Sequence, residues 1–201
     1  MSQNISDQTI VLSARTVEAR FKKLNLPFSF SEDELASLDT INVVDWPGRW
    51  LAFPTPLLRD GLNLLNLRRL LGVSPAVQPS FFDHPWYLEE TFGSVDCAPG
   101  WHTLKMDVDR DSLEKTYDYD CRSAPSGLCF PTAVEVVLML FLHYAETREQ
   151  LLLKKHTWCS DEASLDRRVT IGAFGRNGVF VSGHPNSYRS LGLGVCWKVA
   201  L

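Results

Sequence analysis

The N-terminal part of the chain repeats apolar positions at helical intervals. In residues 9–38, apolar side chains recur at steps of three and four, and charged side chains fill the positions between them. Pro27 interrupts this pattern because its ring removes a backbone donor and clashes with the preceding turn. Ser31 followed by Glu34 is a capping-box signature, which predicts a second, short helix. The pattern therefore predicts an N-terminal helical segment over residues 1–45.

The middle of the chain, from about residue 40 to residue 100, is rich in tryptophan, proline and phenylalanine. One stretch in it, DGLNLLNLRRLLG, has leucines at helical spacing, and Gly72 is a typical residue for the end of that helix. The rest, including PSFFDHPWYLEETFG, shows no period, which predicts irregular chain held in place by buried aromatic side chains.

Regular patterns return after Gly100. GWHTLKMDV alternates as a strand does, whereas EKTYDYDCRSAPSGLC is polar and typical of a loop. Pro131 then opens the strongest helical pattern of the chain, which predicts a helix over residues 131–149. Because this pattern is apolar on nearly every side up to Tyr144, the helix is expected in the centre of the core.

The last quarter of the chain has the pattern of an antiparallel sheet. RRVTIGAF and VFVSG are predicted to be strands joined by the turn GRNG, whose glycines and Asn177 tolerate positive φ. LGLGVCWKV is predicted to be a final strand, in which Gly192 and Gly194 indicate a bulge or close backbone packing. A central helix followed by a late sheet predicts an α+β fold, with residues 46–201 forming one domain.

The composition narrows the function classes. The 201 residues carry 20 Lys and Arg against 24 Asp and Glu, a formal net charge of -4. This balance argues against a nucleic-acid partner, because proteins that bind one concentrate basic residues on a face. The longest apolar run, residues 136–142, is shorter than the ~20 residues of a membrane helix. The polar N-terminus lacks the apolar core of a secretory signal, which predicts a cytoplasmic protein with reduced cysteines.

No motif in the sequence assigns a catalytic residue, a metal ligand or a cofactor. The GxSxG, P-loop, HExxH and GxGxxG patterns are absent, and the cysteines lack zinc-type spacing. Cys159, which is close to His156, is interpreted as a buried cysteine, with a nucleophilic thiol as the alternative. His84 and His102 are interpreted as packed residues, with a metal site that includes Asp83 as the alternative.

Two polar stretches are candidates for binding. MDVDRDSLEKTYDYD has carboxylates at positions 107, 109, 111, 118 and 120, and we interpret it as a solvated loop, with a weak calcium site as the alternative. HPNSYRS combines Tyr and Arg, which provide contact area and directional hydrogen bonds, with Asn and Ser, which adapt at small entropic cost. This second stretch is the stronger candidate for a recognition surface.

Half of the chain resembles a known family. GWHTLKMDVDRDSLEKT, PTAVEVVLMLFLHYAETREQLLL, CSD with RRVTIGAFGRNGVFVSG, and LGLGVCWK follow one another between about residues 100 and 198. This order of strand, loop, helix, short CSD turn and hairpin resembles bacterial and phage-associated proteins of C-type-lectin-like fold. It is similar to the variable proteins of diversity-generating retroelements and, more distantly, to relatives of the formylglycine-generating enzyme.

The resemblance implies a C-type-lectin-like α+β fold that displays substitutable residues near its C-terminus for ligand binding. The residues implied for that surface are Arg176, Asn177, Ser182, His184, Asn186, Ser187, Tyr188 and Arg189. The fixed scaffold implied beneath it comprises Trp101, Ile171, Gly172, Phe174, Gly178, Val181, Gly192 and Trp197.

The leading hypothesis is a non-catalytic protein that binds a partner protein or a small-molecule ligand, with neither nucleic acid nor membrane among its partners. Tyr188 and Arg189 are expected to contribute most, because aromatic and Arg anchors usually carry the binding energy. The alternative is a cysteine-dependent enzyme, formylglycine-generating-like or a thiol hydrolase, with Cys159 or Cys196 as its reactive group.

Overall fold

The structure is a computed structural model and describes residues 8–38, 41, 46–57 and 61–200. Within these residues the five α-helices are α1 (Ala14–Lys23), α2 (Glu32–Ser37), α3 (Leu64–Leu71), α4 (Tyr117–Ser123) and α5 (Ala133–Thr147). The strands are β1 (Gln8–Val11), β2 (Arg49–Thr55), β3 (Gly100–Lys105), β4 (Leu128–Cys129), β5 (His156–Ala163), β6 (Arg167–Gly175), β7 (Gly178–Pro185), β8 (Leu193–Gly194) and β9 (Lys198–Val199). The predicted α+β class is confirmed.

The strands form two sheets, and α5 packs against both of them. The first sheet has the order β1-β2-β3-β9-β4, with β1 parallel to β2 and the other neighbours antiparallel. The second sheet has the order β7-β6-β5-β8, with β8 parallel to β5. Helix α5 contacts β3 of the first sheet and both β5 and β6 of the second. Its residues 136–142 are each at most 1% exposed, which confirms its central position.

The described part of the N-terminal segment, from residue 8 onward, starts with a strand and not with a helix. Residues 9–11, which the pattern places in a helix, belong to β1 and pair with β2. This pairing is with residues far along the chain, so a local period does not reveal it. Helix α1 begins only after Ser13, whose side chain caps it, and the capping box of Ser31 and Glu34 at α2 is confirmed.

The prediction for the aromatic middle of the chain is correct for its helix and its buried rings, but it is wrong for residues 49–55, which form strand β2 and not irregular chain. Helix α3 ends at Gly72, which adopts a φ of 73°. The chain after it forms two short 3₁₀ helices, Pro85–Glu89 and Thr91–Ser94. Buried aromatic rings hold this segment against the core, namely those of Phe81, Tyr87 and Phe92.

Helix α5 is two residues shorter at each end than the predicted span of 131–149. It starts after Thr132, because Thr132 and Glu135 form a reciprocal capping box. The Thr132 amide donates to Glu135 Oε2 at 2.8 Å, so this glutamate is held at the helix N-terminus. At the other end Arg148 terminates the helix in the left-handed conformation, with a φ of 61°.

Three sequence predictions near the C-terminal half are wrong. The stretch EKTYDYDCRSAPSGLC is not a loop, since it contains α4, capped by Thr116, and β4. The CSD triplet lies inside β5 and makes no turn. The final strand is divided into β8 and β9, because the buried residues 195–197 lead the chain from the second sheet to the first.

The predicted hairpin of β6 and β7 is confirmed, and glycines fix its surroundings. A Cβ atom on Gly178, which has a φ of 93°, would lie 2.6 Å from the backbone of residues 80 and 81. A Cβ atom on Gly192 would lie 2.8 Å from the carbonyl oxygen of Lys154, in line with the predicted close packing. No helix among the described residues combines the length and the apolar character needed to span a bilayer.

Candidate functional site

The residues predicted to bind a ligand lie along β7 and beyond both of its ends. Arg176 and Asn177 form the exposed turn before β7, whereas residues 186–189 follow it. The eight residues of β7 span about 26 Å, so these two groups are not brought together. The predicted surface is therefore two separate regions, linked only by the side chains of the strand between them.

Alternate residues of β7 share one face of the second sheet. We call the face turned away from α5 the outer face. Phe180, Ser182 and His184 point to it, and Thr170 of β6 lies opposite Ser182. Ser182 is only 9% exposed and its hydroxyl contacts that of Thr170 at 2.7 Å, so the centre of this face is closed. A ligand can therefore contact the outer face only near the two ends of β7.

The first end is a groove beside the β6–β7 turn, with a volume of about 380 Å³. Its walls are Phe82, Leu153 and Phe180, and its rim carries Arg176 and Asn177. We call this the hairpin groove. Phe82 and Leu153 come from distant parts of the chain, so the sequence pattern contained no signal for them.

One backbone and one side-chain hydrogen bond hold parts of the hairpin groove in place. The amide of Phe82 donates to the carbonyl of Val179 at 2.8 Å, which fastens the aromatic segment along the edge of β7. The Gln78 side chain donates to the carbonyl of Arg176 at 2.9 Å and fixes the turn. The groove is thus formed before any ligand arrives.

Aromatic rings surround Phe180 in the hairpin groove. The Phe82 ring meets it edge-on with centroids 5.1 Å apart, and the His84 ring stacks on it at 5.5 Å. His156 packs edge-on from β5, and burial, with the nearby His184, lowers the pKa of His156 to about 4. That ring is therefore neutral at physiological pH and supports Phe180 from behind the groove wall.

The second end is a stack of His184 and Tyr188. Their ring centroids are 4.2 Å apart and the planes differ by 10°, and Tyr188 is 40% exposed. Burial, together with the nearby Arg167, lowers the pKa of His184, so the stacked imidazole is neutral. Ser187 beside this stack is exposed.

The loop that carries Tyr188 is attached to α4. The Asn186 carbonyl accepts a hydrogen bond from the Tyr117 amide at 3.1 Å, and the Asn186 side chain donates to Asp118 at 3.3 Å. Beyond it, Arg189 and Glu114 line a second depression of about 370 Å³. The polar pattern of residues 114–129 predicts a loop, so it gives no signal for this role of α4.

The cysteines of the enzyme hypothesis are inaccessible. Cys159 and Cys196 are both 0% exposed, and burial raises the pKa of each thiol. His156 and Cys159 lie on opposite faces of β5, because His156 packs on the outer face and Cys159 in the core. The geometry favours the interpretation of Cys159 as a buried, unreactive cysteine.

The carboxylates at positions 107–120 do not converge. Asp107 pairs with a lysine of the chain before β5, Asp109 pairs with Lys105, and Asp118 contacts the loop after β7. Among the described residues, no three of these carboxylates lie within metal-binding distance of one another. Asp83, the partner considered for His84 and His102, instead pairs with Arg68 at 3.0 Å.

A buried polar cluster lies beneath the loop before β3. It contains Cys97, His102 and Glu135, whose ligand atoms all lie within 4.8 Å of one another. His102 Nε2 lies 3.7 Å from Cys97 Sγ, and His102 Nδ1 lies 3.0 Å from Glu135 Oε1. Sequence spacing missed the cluster because the loop, β3 and α5 each contribute one member.

The electrostatics of this cluster centre on Glu135. Burial alone raises the pKa of this carboxyl, but the contacts with His102 and Lys198 outweigh it and lower the pKa to about 2. Lys198 Nζ donates to Glu135 Oε1 at 2.6 Å. Burial raises the pKa of the Cys97 thiol to about 12, so it is protonated in the absence of a bound cation.

Comparison with known proteins adds no assignment to these sites. No protein-family model matches the chain. No curated protein and no solved structure shows significant similarity to it.

Proposed function

We propose that the protein is a non-catalytic binding protein that recognises a partner protein through the hairpin groove. The observation that carries this proposal is a preformed apolar groove with an exposed arginine on its rim. Its volume of about 380 Å³ is within the range typical of ligand pockets and admits one large apolar side chain.

Charge indicates what kind of segment the groove accepts. The Arg176 side chain makes no ion pair with any described residue, and the exposed Lys154 next to the groove makes none either. Two uncompensated cations beside an apolar wall suit an aromatic or aliphatic side chain flanked by Asp or Glu. The partner is therefore a protein segment of acidic and apolar composition.

The residue types of the groove support binding rather than catalysis. Arginine and aromatic residues are enriched among the side chains that dominate protein interfaces. His84 stacks on Phe180 and His156 meets it edge-on, and no cysteine lines the groove. None of the described residues that line the groove is a cysteine, serine or threonine.

A C-type-lectin-like scaffold is part of the proposal. Support comes from the order of elements after residue 100, where strand β3, helix α5, the β6–β7 hairpin and strand β9 follow one another as in the resemblance, whereas α4 and β5 replace its loop and its CSD turn. In such a scaffold the β6–β7 turn and the loop after β7 carry the substitutable positions. The hairpin groove is then the anchor, and the His184–Tyr188 stack is a separate contact.

The test uses a random-peptide library displayed on phage and selected against the immobilised protein. We expect the selected peptides to carry an aromatic or aliphatic residue beside Asp or Glu. Arg176→Glu and Leu153→Ser should each lower the affinity for the selected peptides at least 10-fold, which corresponds to about 1.4 kcal/mol of binding free energy. Arg122→Glu, at an exposed arginine of α4, is the matched control and leaves affinity within twofold.

The outcome also separates the two ends of the surface. If Tyr188→Ala with Arg189→Ala abolishes binding while Arg176→Glu has no effect, recognition belongs to the second end and the groove proposal is wrong. Thermal unfolding of each variant accompanies the binding measurement, because these side chains are exposed and their loss should leave the melting temperature nearly unchanged.

A further inference from the structure

Atoms from one strand and one loop, each able to act as a metal ligand, converge on one nitrogen of His102. His102 lies on β3, and its Nε2 atom is 2.9 Å from Thr55 Oγ1 of β2. The same nitrogen is 3.0 Å from the carbonyl oxygen of Ala98 and 3.7 Å from Cys97 Sγ. Thr55 and Ala98 are themselves in contact, with 2.7 Å between the two oxygens.

These separations match those between ligands of a single metal ion. With metal–nitrogen and metal–oxygen bonds near 2.0 Å and a metal–sulfur bond near 2.3 Å, neighbouring ligands lie roughly 2.9 to 3.7 Å apart. The three contacts of Nε2 fall in that range. The 2.7 Å between the Thr55 and Ala98 oxygens is shorter than this range, so a cation seated among these atoms requires the two oxygens to move apart by at least a few tenths of an ångström.

The other nitrogen of the ring faces a carboxylate. His102 Nδ1 is buried and 3.0 Å from Glu135 Oε1, but the two atoms are not aligned for a hydrogen bond. Ligating histidines commonly donate this second N–H to a carboxylate, which fixes the tautomer and the ring orientation. Glu135 is itself held by the Thr132 amide at 2.8 Å, so a small turn of the imidazole completes this arrangement.

We propose that a divalent transition metal of the zinc type binds between Cys97 Sγ and His102 Nε2, with Thr55 Oγ1 and the Ala98 carbonyl as oxygen ligands. Thiolate and imidazole together select such ions over calcium and magnesium, which prefer oxygen. On binding, the Cys97 thiol releases one proton to solvent and its sulfur forms a bond to the ion, with no change in oxidation state.

The surroundings of the cluster allow an ion to enter and compensate its charge. Cys97 is 6% exposed, but Ala98 and Pro99 above it are exposed, so access requires only a displacement of this short loop. Lys198, whose side chain is 20% exposed, can withdraw from Glu135 toward solvent when a cation arrives. The bound ion would tie the loop before β3 to the first sheet.

The experiment titrates the reduced, chelator-treated full chain with Co²⁺ and follows the cobalt–thiolate charge-transfer absorbance. We expect one equivalent to bind, and Zn²⁺ to displace it. Cys97→Ser should lose at least 100-fold in affinity. Glu135→Gln, which removes the charge that faces Nδ1, should lose about 10- to 100-fold. Cys121→Ser, at an exposed cysteine, is the control and should bind as the wild type does.

Two results would overturn the proposal. One is a folded wild-type protein that shows no cobalt–thiolate absorbance. The other is absorbance that persists in Cys97→Ser and disappears in Cys121→Ser, which would assign the ion to surface thiols. Zn²⁺ should also raise the melting temperature of the wild type and leave that of Cys97→Ser unchanged. This comparison separates metal binding from any general loss of stability.

Discussion

Asp120 is a buried carboxyl whose removal should stabilise the protein above neutral pH. It lies on α4, is 1% exposed, and no described residue forms a hydrogen bond with its Oδ2 atom. Burial raises the pKa of this carboxyl from 3.8 to about 7, while the nearby Lys115 opposes the shift. Because the folded state holds the proton more tightly than the unfolded chain, ionisation of Asp120 destabilises the fold.

The magnitude follows from the difference between the two pKa values. Each unit of difference corresponds to about 1.4 kcal/mol, and the pKa rises from 3.8 to about 7. The stabilising contribution of the protonated carboxyl is complete below about pH 4 and is lost by pH 7 and above. Asp120→Asn keeps the size of the side chain and cannot ionise. Its free energy of unfolding should therefore be close to that of the wild type at about pH 4 and exceed it by about 4 kcal/mol at pH 8.

The assay is urea unfolding followed by tryptophan fluorescence, repeated across that pH range for the wild type and Asp120→Asn. Asp118→Asn is the matched control, because Asp118 lies on the same helix but is exposed. The free energy of unfolding of Asp118→Asn should stay within about 0.5 kcal/mol of the wild-type value at every pH. The difference in free energy of unfolding between Asp120→Asn and the wild type should change with pH. A change of less than about 1 kcal/mol across the range would refute the conclusion that burial destabilises the ionised carboxyl.

Three further predictions concern the core and the thiols. Leu140→Ala in α5 removes a side chain that is 0% exposed and should lower the free energy of unfolding by about 2–5 kcal/mol in the same urea titrations. Leu165→Ala, at a position that is 84% exposed, is its control and should change this free energy by less than about 0.5 kcal/mol. Gly172→Ala should prevent folding, as judged by circular dichroism, because its Cβ would lie 2.0 Å from a backbone oxygen; a folded variant would contradict the packing described. Thiol labelling of the native protein near neutral pH should modify Cys121 first and Cys159 only after denaturation. Rapid labelling of Cys159 in the native protein would instead support the cysteine-dependent enzyme.

The elements predicted correctly are those whose signals are local. Helix α5 follows from a continuous apolar pattern, and α3 ends at Gly72 because glycine adopts positive φ without steric cost. The β6–β7 hairpin follows from alternating residues around Asn177 and two glycines. In each case the residues that define the element are neighbours in the chain, so its period and caps are visible in the sequence.

The elements missed are those that depend on distant partners. Strand β1 exists because the edge of β2 supplies its hydrogen bonds, and residues 9–11 would suit a helix equally well in the sequence pattern. The last strand divides because β8 pairs with β5 whereas β9 pairs with β3 and β4, in the other sheet. Helix α4 is stabilised by Tyr117, whose ring packs on Phe130 with centroids 4.6 Å apart.

The candidate sites divide in the same way. The sequence by itself determined the types of residue near the C-terminus that suit recognition, including Arg176 and Tyr188, because composition and turn signals are local properties. Tertiary structure alone decided that Phe82 and Leu153 wall the hairpin groove, and that the capping glutamate of α5 meets His102 beside Cys97. Such convergence comes from strand pairing and helix packing, which bring together residues that no spacing along the chain connects.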